Sequence, residues 1–297
     1  MSFQSFMMRI MCTINDRKRD KGLQIPKNLM VTSDVSYGPN KLNMLDIYRP
    51  EVNAIKLPVI VSVHGGGWVY GSKEVYKHYC MDLAKRGFIV VNYNYRLSPK
   101  DKFPCHLEDT VMLFDWLVSH TGRFGMDEKN IFAVGDSAGA HILSLYCAFC
   151  TNPEYAARYP FQSKSNFLPK GVALNCGIYD MKGIRKGAGN TKALMRDVLS
   201  KGGTDEELEW VSPIRYMNEN FPPSYIMTAY ADFLKEQAKP MADKLESLGV
   251  PCIYKLYGDE ANQRGHVFHL NVRDEIGRLC NEKECEFFKQ LMEKTIE

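Results

Sequence analysis

Asn130-Ile-Phe-Ala-Val-Gly-Asp-Ser-Ala-Gly-Ala-His-Ile-Leu143 decides the reading of this chain. Ile131–Val134 is an apolar run of strand length. Gly135–Gly139 then reads G-x-S-x-G, and an apolar-rich stretch suited to a helix runs from Ala138 to Ala148. A serine between strand and helix is held on a sharp turn that exposes its hydroxyl. Gly135 and Gly139 permit that turn and the close packing of the helix behind it.

The same pattern of strand and tight loop recurs upstream. Leu57–Val63 is a continuous apolar strand, closed by His64-Gly65-Gly66-Gly67. Three consecutive glycines cost backbone entropy, so a specific backbone need is expected there. Close approach to a substrate carbonyl fits. The amides of Gly65 and Gly66, with Gly67 as a further candidate, would meet a developing oxyanion, and Ala138, after the serine, would add another N–H. His64 precedes the serine and reads as an organiser of the loop.

A serine hydroxyl needs a base, and a base needs an orienting acid. On a strand–serine–helix turn the acid and then the histidine follow the serine in the chain. Downstream histidines are His141, His266 and His269. His141 lies one turn into the serine's own helix, so its side chain is expected to point away from the hydroxyl. His266 follows strand Cys252–Leu256 in a loop with Gly258 and Gly265, and placement prefers it as base. His269 is its rival, expected at the start of the last helix. Asp232 lies just past strand Tyr225–Ala229 and is the preferred acid. Asp180 is the runner-up, Asp205 is a further candidate, and Asp259 reads as a turn residue. Asp136 is too constrained within the pentapeptide. A zinc set of His266, His269 and Asp259 lacks the H-E-x-x-H pattern, so no metal is expected.

Strand-like and helix-like segments alternate along the rest of the chain. Met30–Tyr37 and Leu42–Arg49 form an early strand pair. Phe88–Tyr93 and Gly171–Cys176 are further strands; Val75–Arg86, Leu107–Ser119, Gln237–Leu248 and Val272–Thr295 are helices. Long apolar strands without alternation mean a parallel sheet buried on both faces. Met1–Asp20 reads as an amphipathic helix without the basic and small-residue features of a signal peptide. This helix and Met181–Met217 fall outside the alternation and are expected to lie as a lid over the strand ends.

The 297 residues suit one large domain. A net charge of +3, with both signs interspersed, argues against nucleic acid or an anionic membrane as partner. Nine cysteines without framework spacing read as free thiols in a reducing cytosol, hence a cytoplasmic protein. Cys147 and Cys150 have C-x-x-C spacing but sit in a helical pattern with no second pair. No stretch is long and apolar enough to span a bilayer.

Further segments extend the pattern: Tyr95-Arg96-Leu97-Ser98-Pro99, Phe103-Pro104, Leu107-Glu108-Asp109, Pro222-Pro223, Asp232-Phe233-Leu234 and Gly265-His266-Val267-Phe268. With His64–Trp68 and Gly135–Gly139, the chain from about residue 42 to 270 resembles the hormone-sensitive-lipase-like branch of the α/β-hydrolases. Phe233 stands where that family has proline, and Val267 where it has glycine. The resemblance implies one α/β-hydrolase domain over residues 1–297: an eight-stranded, mostly parallel sheet with cap elements at about 1–28 and 181–217. It also implies carboxylester hydrolysis through an acyl-enzyme, with no cofactor and a small ester as substrate. Short acyl chains are expected. Rival readings are an arylformamidase, a sugar-ester deacetylase, a small peptidase, and a hydrolase-like binding module without activity. A homodimer through an edge strand or late helix is compatible with the sequence.

Overall fold

The computed structural model describes residues 1–53, 56–187 and 191–293. Eight strands form one sheet in the order β1-β2-β4-β3-β5-β6-β7-β8. They are β1 (Leu29–Ser36), β2 (Met44–Pro50), β3 (Leu57–Val63), β4 (Ile89–Tyr93), β5 (Met126–Asp136), β6 (Val172–Asn175), β7 (Ser224–Ala229) and β8 (Cys252–Tyr257). The pairs β1–β2 and β2–β4 are antiparallel; every later pair is parallel. The expected early strand pair is therefore the antiparallel edge of a mostly parallel sheet.

The helices are α1 (Phe3–Asp20), α2 (Lys73–Ala84), α3 (Cys105–His120), α4 (Ala138–Thr151), α5 (Pro153–Ala156), α6 (Met181–Gly187), α7 (Lys192–Val198), α8 (Asp205–Trp210), α9 (Lys235–Ser247) and α10 (Glu275–Glu293). Successive strand side chains point to opposite faces. Val59, Val61 and Val63 thus join a core with α3, α4 and α9, while Ile60 joins a second core with α2 and α10. Strands β4, β6 and β7 are buried throughout, which explains their unalternating apolar sequences. Among the described residues, no helix is long and apolar enough to cross a membrane.

Two elements differ from the sequence expectation. Strand β5 begins at Met126, five residues before Ile131, because Met126 pairs with Leu57. The polar Asp127–Asn130 stretch is partly exposed there, so no apolar run marks it. His269 does not open the last helix; it sits in a separate short turn, Phe268–Leu270, ahead of α10. Ala188, Gly189 and Asn190 of the second expected lid segment lie outside the described residues, as do the last two residues of helix Val272–Thr295.

A carboxyl group is buried beneath the sheet. Glu284 of α10 accepts hydrogen bonds from Asn175 Nδ2 (2.6 Å) and Tyr79 Oη (3.3 Å). Burial, against those bonds, pushes its pKa from 4.5 up to about 7. The folded state then keeps a proton that the unfolded chain releases, so stability falls as pH rises between these values. At about 1.4 kcal/mol per unit, the fall is on the order of 3 kcal/mol. Urea midpoints for Glu284→Gln are expected to drop less between pH 5 and pH 8 than those of the unchanged protein. An equal drop in both would show that the carboxyl is not the source.

Candidate active site

Four loops at the C-terminal ends of β3, β5, β7 and β8 converge on Ser137. Its backbone is left-handed, with φ 52° and ψ −118°, where strand β5 turns into α4. Ser137 N–H donates to Asn175 O (2.9 Å), which ties the turn to β6. A side chain at Gly139 would strike the carbonyls of Val63 and His64. Glycine there lets α4 rest directly against the end of β3.

His266 bridges serine and acid. Its Nε2 lies 3.0 Å from Ser137 Oγ and its Nδ1 lies 2.8 Å from Asp232 Oδ1. With Asp232 ionised, Nδ1 carries the proton and Nε2 accepts from the hydroxyl. Asp232 also accepts from Leu234 N (2.9 Å) and Thr228 Oγ1 (3.1 Å). Burial works to raise its pKa, but the His266 contact, the Leu234 N–H and the Cys176 thiol outweigh it and hold the carboxyl below 3.8. The Phe233 ring lies 4.4 Å from the His266 ring and is 67% exposed, so the residue that departs from the family's proline covers the imidazole's outer side.

The other candidates are engaged elsewhere. His269 is fully buried against Tyr79, and its pKa falls to about 3 through burial. His141 accepts from Trp68 Nε1 (3.2 Å) and donates to Val211 O (2.7 Å). Asp180 accepts from Lys182 N (3.0 Å), and Asp259 caps its own turn through Ala261 N (2.9 Å) and Asn262 N (2.7 Å). Asp205 lies in the first turn of α8. The zinc set weighed from sequence does not assemble. Among the described residues, the convergent group is Cys176, Asp232 and His266, within 4.8 Å of one another. All nine cysteines are unpaired, Cys147 and Cys150 included.

The glycine loop carries one correction. Gly65 N–H donates to Tyr76 Oη (2.9 Å), whose hydroxyl in turn donates to Asp136 Oδ2 (2.7 Å). The Gly65 amide is therefore spoken for by α2 and is not available to a substrate. Gly66, Gly67 and Ala138 make no backbone N–H bond to another described residue. Ala138 is free because the first helical N–H groups have no partner within the helix. His64 is buried and neutral, its pKa lowered to about 4 by burial. It donates from Nδ1 to Gly65 O (2.8 Å), stacks on Tyr95 at 4.0 Å and accepts the Tyr95 hydroxyl at its own carbonyl (2.8 Å). Trp68 and Tyr95 are buried supports of this loop.

No sequence motif marks Tyr76 or Cys176 as part of the site. Tyr76 approaches from a helix whose register no motif announces. Cys176 follows β6, whose pairing of Asp136 with Asn175 brings it beside the site. Burial pushes its thiol pKa well up, so it stays neutral beside Asp232.

A sheet of this order, with a strand–serine–helix turn at its centre, defines an α/β-hydrolase. The chain belongs to the BD-FAE family, whose model matches residues 45–245. It is 26% identical to Esterase LipC of Mycobacterium tuberculosis over 80% of this chain and 59% of that one. It is 28% identical to the probable carboxylic ester hydrolase LipM of the same organism over 78% of this chain and 56% of that one. The chain thus spans less than two thirds of these relatives' own length. Among solved structures, esterase B from Lactobacillus Rhamnosis superposes with a TM-score of 0.89 at 21% identity, over 98% of this chain and 95% of that one. EstE1, a carboxylesterase from a metagenomic library, gives 0.77 at 21% identity over 98% and 99%. Both are likenesses of fold.

Proposed function

We propose that the chain is a serine carboxylesterase for short-chain acyl esters, working through an acyl-enzyme without a cofactor. The observation that carries this reading is the hydrogen-bonded line Ser137–His266–Asp232, at 3.0 and 2.8 Å, beside the amides of Gly66, Gly67 and Ala138. His266 Nε2 takes the hydroxyl proton as Ser137 Oγ attacks the ester carbonyl. Gly66, Gly67 and Ala138 N–H groups receive the oxyanion. His266 then hands its proton to the departing alcohol. Water repeats the attack on the acyl-serine, with His266 again as base, and the acid leaves. Asp232 keeps the proton on Nδ1 and stabilises the charged imidazole.

Helix α1 and the described parts of residues 181–217 act in this reading as a cap on a single domain. Support comes from the glycine loop: a side-chain carbon at Gly67 would collide with Met8 Cε of α1 and lie 3.9 Å from Leu194 Cδ2 of α7. The two segments thus meet over the loop. The relatives named as esterases support ester hydrolysis as the reaction. Initial rates on p-nitrophenyl acetate, butyrate, octanoate and palmitate test the reading. Rates are expected to fall by at least about tenfold from butyrate to octanoate, the size of effect that a misfitting pocket gives. Equal or rising rates with chain length would overturn the short-chain preference.

A further inference from the structure

Helix α1 docks through a mixed face, on which Met8 packs against the core and the remaining contacts are polar. Ser2 N and Oγ both donate to Asp197 of α7 (2.7 Å each), and Ser5 is buried. Arg9 Nε donates to Val69 O (2.6 Å), Asp16 accepts from Tyr70 Oη (2.8 Å), and Arg19 Nη2 donates to Val75 O (2.8 Å). At its C-terminal end, Arg273 reaches the carbonyls of Arg19 (2.6 Å) and Lys21 (2.5 Å). These contacts fix the helix rotation.

The apolar side consequently faces out. Phe3, Phe6, Met7, Ile10, Met11 and Ile14 are all exposed, Phe3 by 78% and Ile14 by 60%. Positions 3, 7, 10 and 14 follow the spacing of one helix stripe. Single exposed apolar residues are ordinary, but a continuous row marks an interaction surface. Arg17, Lys18 and Lys21 are exposed and continue this side beyond the apolar row. The helix's two carboxylates, Asp16 and Asp20, are held by Arg19 (2.8 Å each).

We infer that the outer side of α1 is a docking surface for an anionic lipid bilayer. An interfacial helix buries its apolar row at the boundary of headgroups and acyl chains, and flanking cations pair with anionic headgroups. On the same helix a second copy would offer only a matching apolar row, since both carboxylates of α1 are already held by Arg19. Bilayer docking goes against the expectation from sequence that no membrane is a partner, which averaged the interspersed charge over the whole chain. The inference concerns binding and does not rest on the chemistry of Ser137.

Flotation with vesicles of phosphatidylcholine, with and without phosphatidylglycerol, tests it. Binding to the anionic vesicles is expected, weakening as salt rises. Each cation near such a surface is worth about fivefold, so Arg17→Glu with Lys18→Glu is expected to cut partitioning by about 25-fold or more. Phe6→Ser with Ile10→Ser and Ile14→Ser is expected to abolish it, in protein shown by circular dichroism to be folded. Absence of binding to either vesicle would overturn the inference. So would a concentration-dependent dimer in sedimentation that the apolar triple variant breaks, which would assign the surface to a second copy.

Discussion

Replacing Ser137 with alanine is expected to lower ester turnover by on the order of 10⁴- to 10⁶-fold, since the nucleophile is lost and only carbonyl polarisation and binding remain. The fold is expected to survive. Alanine keeps the β-carbon, so the left-handed backbone at φ 52° stays as strained as before. Ser137→Gly separates the two roles. It removes the same hydroxyl but relieves a conformation that costs a non-glycine residue about 1–3 kcal/mol. Its thermal midpoint is therefore expected above that of Ser137→Ala, with equal loss of turnover. Matched rates for both variants and the unchanged protein would remove the acyl-enzyme reading.

Asp232→Asn is the second large effect, expected at about 10⁴-fold in kcat/KM with little change in substrate binding. Every group around the carboxylate is a donor: His266 Nδ1, Leu234 N–H, Thr228 Oγ1 and the Cys176 thiol. An amide must turn its NH₂ toward one of them, and against His266 it favours the tautomer with Nδ1 unprotonated. The proton then sits on Nε2 and faces Ser137 as a donor. Asp180→Asn should leave kcat/KM within about twofold, because Asp180 bonds within its own segment. A loss under tenfold for Asp232→Asn, or a large one for Asp180→Asn, would reassign the acid.

Much of the sheet was legible in the chain. The central strands bury both faces, so their sequences are largely apolar runs, and the glycines at 135 and 139 stand where close backbone contact excludes a side chain. What stayed open concerned residues whose environment comes from distant elements. His266 and His269 are three residues apart in one loop. Only the folded turn, with Val267 at φ 51°, directs the first toward Ser137 and sends the second into the core beside Tyr79. Asp232 and Asp180 both end strands, and the position of β8 beside β7 decides which one faces the imidazole.

The glycine loop shows the same limit. Its run of three glycines announces free amides, yet a tyrosine from α2 claims the one on Gly65. In α1, the spacing of Phe3, Met7, Ile10 and Ile14 specifies an amphipathic helix but not which side meets the protein. By itself, the sequence determined most of the strands, the sharp turn at Ser137 and the short set of groups that could serve it. The tertiary structure alone decided which of these groups meet, which glycine amide is already taken, and that α1 turns its apolar side outward. The physical reason is range: backbone propensity and hydrophobic period act over neighbouring residues, whereas hydrogen-bond partners and buried faces are set by elements far apart in the chain.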